Sequence, residues 1–130
     1  RQDTIDKNEA GGILLGQINR DCILITRASV PNKKEKSDRY NFVRNKTKAQ
    51  IIIDYEFVNS GSKTIYLGEW HTHPFNIANP SRVDIEMIKE QFKNNIIQTD
   101  FLMLVILGIK KDYIGIYNGK KLNTIYNDKL

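Results

Sequence analysis

Apolar and polar positions change period several times along the chain. Residues 12–18 (GILLGQI) and 22–26 (CILIT) are short runs rich in β-branched residues. The turn formers Asn19, Arg20 and Asp21 separate them, so the pair predicts a β-hairpin. Val30, Pro31 and the charged stretch to Asp38 read as a loop, and residues 39–44 (RYNFVR) alternate as a short strand. Over residues 48–58 the period lengthens. Ala49, Ile52, Ile53, Glu56 and Phe57 fall at i, i+3, i+4, i+7 and i+8, which predicts an amphipathic helix; a strand is the competing reading of so Ile-rich a run.

Beyond the break at residues 59–62, residues 64–72 (TIYLGEWHT) read as a strand with a glycine inside it. Pro74 and Pro80 bracket a loop, and Ser81 opens a second helix with Ile85, Ile88 and Phe92 at i, i+3 and i+7 and Met87 beside them. Residues 101–107 are continuously apolar, the pattern of a central strand covered on both faces. Residues 113–117 and 122–126 form the last two strands around Asn118-Gly119, a strong hairpin signal. The predicted order β-β-β-α-β-α-β-β-β points to one α/β domain: a curved mixed sheet flanked by helices.

Composition narrows the classes. The chain has 130 residues, 40% of them apolar and 27% charged, enough for one buried core and too apolar for disorder. A single cysteine, Cys22, excludes a disulfide framework and a Cys-rich zinc site; with no signal-like segment it points to the cytoplasm. No apolar run approaches the ~20 residues that span a bilayer. The first residue is Arg1, not Met, which leaves room for a missing N-terminal helix or strand. The net charge of +5 is concentrated in residues 33–48, which carry Lys33, Lys34, Lys36, Arg39, Arg44, Lys46 and Lys48 against Glu35 and Asp38. Only Tyr40 and Phe42 offer aromatic faces there, and no nucleic-acid motif surrounds them. The segment reads first as a solvated loop and helix start, second as a patch for an acidic partner or nucleic acid.

The chemistry lies in the only two histidines, His71 and His73. Residues i and i+2 of a strand share a face, so two imidazoles can grip one metal ion at a strand end closed by Pro74. A catalytic zinc site needs a third protein ligand and an open position for water. Asp84, in the first turn of the second helix, is the candidate. Ser81-x-x-Asp84 is at the same time an ordinary helix cap, in which Ser81 accepts a backbone N–H and the acid favours the positive helix end. Glu69 and Glu86 are further acids near the motif; Glu69, two residues before His71, could share its face and act as the base or as a partner behind the ligands. Trp70 alternates with His71 and is expected in the core.

His71-Thr72-His73-Pro74, six residues, Ser81, two residues and Asp84 form H-x-H-P-x(6)-S-x(2)-D, which resembles the signature of the JAMM (MPN+) zinc metalloproteases in every required position. Residues 8–16 (NEAGGILLG) and 68–74 (GEWHTHP) resemble two segments of the prokaryotic JAB-domain branch. Position 10 is Ala where many relatives have Thr. The resemblance implies a single JAB/MPN domain over residues 1–130, with a cytidine-deaminase-like three-layer architecture. It implies Zn2+ held by His71, His73 and Asp84, Glu9 as the general base acting on water at the metal, and Ser81 as hydrogen-bond donor to the tetrahedral oxyanion. Each role has a physical basis: zinc lowers the pKa of water to about 7, a nearby acid moves the proton, and a hydroxyl stabilises developing charge.

The activity implied is hydrolysis of an isopeptide or peptide bond after the C-terminus of a ubiquitin-like or conjugated bacterial protein. Family members of this type work beside activating-like and conjugating-like enzymes of the same operon. Some serve anti-phage systems, including CBASS, where a nucleotidyltransferase is conjugated; others trim sulfur-carrier proteins. The substrate is expected as an extended tail laid beside a sheet edge as an added strand. The chain has no long insertion of the kind that clamps polyubiquitin. Two alternatives remain open at this point. One is a metal-free MPN-like scaffold, which loss of the metal would favour. The other is a DNA-associated RadC-like protein, which salt-sensitive duplex binding by the basic segment would favour.

Overall fold

A computed structural model describes residues 10–29, 46–73, 79–94 and 97–130. Glu9, the strand expected at 39–44, most of the basic segment, Pro74 and the loop positions 75–78, and Asn95 lie outside the described residues. Among the described residues, six strands and two helices follow in the order β1 (Gly11–Ile18), β2 (Ile23–Ala28), α1 (Lys46–Asn59), β3 (Ile65–Thr72), α2 (Arg82–Asn94), β4 (Leu102–Leu107), β5 (Tyr113–Tyr117) and β6 (Leu122–Tyr126). The Ile-rich run that could also have been a strand is helix α1, and Ala49, Ile52 and Ile53 are the side chains it packs inward.

The strands form one mixed sheet in the order β2-β1-β3-β4-β5-β6. Every neighbouring pair is antiparallel except β3 and β4, which run parallel. A parallel pair requires a crossover, and α2 is that crossover. β4 lies inside the sheet; on one face Leu102, Leu104 and Ile106 are fully buried, while on the other Met103 is buried but Val105 and Leu107 are half-buried, so the cover expected on both faces is complete on one. At the last hairpin Asn118 uses its side-chain oxygen to accept the backbone N–H groups of Lys120 and Lys121, while Gly119 takes the left-handed backbone (φ +94°).

One face of the sheet carries Ile13, Leu15, Tyr66, Leu102 and Tyr117, closed by Ile88 and Phe92 of α2 and by the inward side of α1. Phe92 meets Tyr117 edge to face at 5.3 Å. The opposite face carries Leu14, Leu67 and Met103 with Trp70, Val105 and Ile116 around them. Trp70 therefore does pack on the face away from His71, half-buried against that cluster rather than enclosed in the core, and its indole N–H donates to the Ser29 carbonyl at 3.0 Å. Among the described residues, no helix is long and apolar enough to cross a membrane.

Candidate metal centre

The parallel pair creates the site. β3 and β4 end side by side, with His71 opposite Ile106, and the His73 N–H donates to the Leu107 carbonyl at 2.8 Å, so the chain stays tethered just past the strand end. The crossover brings the start of α2 back over that end, the place where open α/β sheets hold their ligands. Ser81 and Asp84 form a reciprocal cap at the helix start. The Asp84 N–H donates to Ser81 Oγ at 3.1 Å and the Ser81 N–H donates to Asp84 Oδ2 at 2.8 Å. The cap turns the Asp84 carboxyl toward the histidines.

His71, His73 and Asp84 are all buried and meet at one point. His71 Nε2 lies 3.2 Å from His73 Nε2 and 3.1 Å from Asp84 Oδ1, and His73 Nε2 lies 3.3 Å from Asp84 Oδ2. A tetrahedral ion with bonds of about 2.0–2.1 Å sets its donors about 3.3–3.4 Å apart, and the imidazole pair has nearly that spacing; the two imidazoles face different oxygens of the Asp84 carboxyl, and one donor atom from each of the three residues lies within 4.8 Å of the others. The donor set of two imidazoles and one carboxylate also suits a divalent cation. Burial opposes the charge on Asp84, but His71, His73 and the Ser81 N–H outweigh it and hold the carboxyl far below the ordinary range. It is ready to coordinate without first losing a proton.

Ser81 keeps a second capacity. The cap occupies an acceptor lone pair of its hydroxyl, and the O–H is not consumed by it. Glu9 is outside the described residues, but its neighbour Ala10 is anchored at the site: the Ala10 N–H donates to Thr72 Oγ1 at 2.9 Å and the Thr72 N–H donates to the Ala10 carbonyl at 2.8 Å. Thr72, between the two histidines, thus ties the start of β1 to the end of β3. Nothing in the local pattern singles out Thr72 beyond a hydroxyl out of phase with the two histidines.

Glu69 is buried on the same strand and accepts a hydrogen bond from the Tyr66 hydroxyl. Burial pushes its carboxyl up to about 8, with the Tyr66 hydrogen bond working the other way. Tyr66 is raised well above its ordinary value, by burial first and then by the charge and hydrogen bond of Glu69. Glu86 is exposed on α2.

A buried histidine–histidine–aspartate triangle at the end of a parallel strand pair defines a candidate metal centre on an α/β sheet. The profile of the prokaryotic homologs of the JAB domain matches residues 2–115, and the chain belongs to that family. The CD-NTase/cGAS isopeptidase of Escherichia coli is 31% identical over 115 residues, covering 88% of this chain and 71% of that relative. The protein of the same name from Vibrio cholerae is 28% identical over 107 residues (82% and 66%), and that from Pseudomonas aeruginosa 41% identical over 76 residues (58% and 48%). The chain thus spans from about half to about seven-tenths of the length of these relatives.

Proposed function

We propose that this chain is a zinc-dependent isopeptidase that hydrolyses the amide bond between the C-terminus of a ubiquitin-like protein and a conjugated CD-NTase-type nucleotidyltransferase. The observation that carries the reading is the convergence of His71, His73 and Asp84, whose two Nε2 atoms lie 3.2 Å apart and each 3.1–3.3 Å from an oxygen of the same carboxyl, in a chain whose relatives are named CD-NTase/cGAS isopeptidases.

In this reading His71, His73 and Asp84 hold Zn2+, which when bound supplies Lewis acidity and a water more acidic than bulk. Glu9 takes the proton of the attacking water on its carboxylate and returns it to the leaving amine, so that amide and water become carboxylate and amine. The Ser81 O–H donates to the oxygen on which charge develops. Thr72 holds Ala10, and through it the start of β1, against the ligand strand. The enzymes that build the conjugate are the expected functional partners.

The test is incubation of the chain with a conjugated nucleotidyltransferase, followed by mass spectrometry of the products. Release of the modifier with a free C-terminal carboxylate, abolished by chelation and by Glu9→Gln, supports the reading. An intact conjugate in the presence of a zinc-loaded chain overturns it.

A further inference from the structure

β3 contains a phase change that the site depends on. On a regular strand residues i and i+3 face opposite sides. Tyr66 and Glu69 are three apart, yet they share a face, because the register against β1 skips one residue. Gly68 stands opposite Leu14 and Tyr66 opposite Leu15, with Leu67 as the extra residue of a bulge. Gly68 makes the bulge possible. Its φ is +157°, and a Cβ there would meet the Met103 carbonyl oxygen at 2.0 Å.

The consequence reaches the ligands. Tyr66 belongs to the cluster on which α2 packs. His71, five residues on, would point to the opposite face of a regular strand. The bulge restores it to the face from which Asp84 approaches. The Tyr66–Glu69 hydrogen bond spans this bulge, from the residue before it to the residue after it. Glu69 is fixed between Ile13 of β1 and Leu104 of β4 in the register. An enclosed carboxyl costs stability in such surroundings, so an apolar residue would serve the core better. A hydrogen bond across the bulge is what the carboxyl adds.

We propose that Tyr66 and Glu69 are positioning residues for the metal centre: their hydrogen bond locks the β3 bulge in the phase that aims His71 and His73 at Asp84. The proposal rests on the metal-centre reading and extends it to two residues that do not touch the ion.

Zinc affinity by chelator competition, the visible spectrum of the cobalt(II)-loaded protein, and thermal unfolding of the metal-free protein are measured for the unmutated chain, Tyr66→Phe, Glu69→Leu and Glu69→Gln. Tyr66→Phe and Glu69→Leu are expected to weaken zinc binding about tenfold or more and to alter the cobalt bands, as loss of groups that orient ligands does. Glu69→Gln keeps an acceptor for the phenol and is expected to retain the unmutated affinity and spectrum. Folded Tyr66→Phe with unmutated zinc affinity and cobalt spectrum overturns the proposal, and decides the matter alone if Glu69→Leu does not fold. Zinc binding by the unmutated chain separates this failure from failure of the site itself: no binding at all overturns the metal-centre reading and the clamp together.

Discussion

Asp84 and Ser81 cap one another: the Asp84 N–H donates to Ser81 Oγ at 3.1 Å and the Ser81 N–H returns to Asp84 Oδ2 at 2.8 Å. The same carboxyl stands 3.1 Å from His71 Nε2 and 3.3 Å from His73 Nε2. A device that starts a helix therefore also aims a candidate metal ligand, and helix α2 and the candidate metal centre share one anchor.

That sharing predicts how the ligands respond to substitution. His71→Ala is expected to reduce bound zinc from about one per chain to near zero, because two donors do not hold the ion against water. Asp84→Asn keeps a side-chain oxygen in the cap but loses the charge, so it is expected to weaken zinc while leaving the helix formed. Plasma mass spectrometry and circular dichroism on the two variants separate the effects. Chelation of the unmutated protein is expected to lower its melting temperature, since an ion at 100 times its Kd stabilises the folded state by about 2.7 kcal/mol.

Ser81 can be split into its two roles. Ser81→Gly costs a helix start only a few tenths of a kcal/mol, yet it removes the hydroxyl proposed to meet the oxyanion. The expected result is nearly unchanged stability with kcat lowered by about 100-fold. Equal loss of stability and activity would return Ser81 to a purely structural role.

Gly68 tolerates no side chain. Gly68→Ala drives a methyl into the Met103 carbonyl, and the expected destabilisation is at least about 2 kcal/mol. Chemical denaturation of the metal-free protein measures it. The cost should exceed that of alanine at Gly61, which has open space around it although its φ is +70°.

Glu69 makes the metal-free protein pH-dependent. Its carboxyl is raised from the ordinary 4.5 to about 8, so the folded chain keeps a proton that the unfolded chain has released. Stability contributed by this group is full below about 4.5 and is lost as pH rises toward 8. Denaturation of chelated protein at pH 5 and pH 8 is expected to show the decline, and Glu69→Gln is expected to flatten it. An unchanged slope in the variant would assign the dependence to another group.

Local pattern carried much of this protein. The i, i+3, i+4 spacing of Ala49, Ile52 and Ile53 marks the buried side of α1, and the run from Leu102 to Leu107 marks the inner strand. His71 and His73 are legible as a pair because a strand repeats every two residues, and Asp84 because a cap has a fixed spacing. Glu9 was readable only through resemblance, and it lies outside the described residues. The sequence by itself determined which residue types can meet a metal and which elements carry them, since periodicity, caps and turns act over a few residues. Only the tertiary structure decided that Asp84 reaches both imidazoles, that Thr72 holds Ala10, and that Tyr66 clasps Glu69 across a bulge. Those contacts depend on the register of β1 against β3 and on the path of the crossover, which long-range packing sets and no local period encodes.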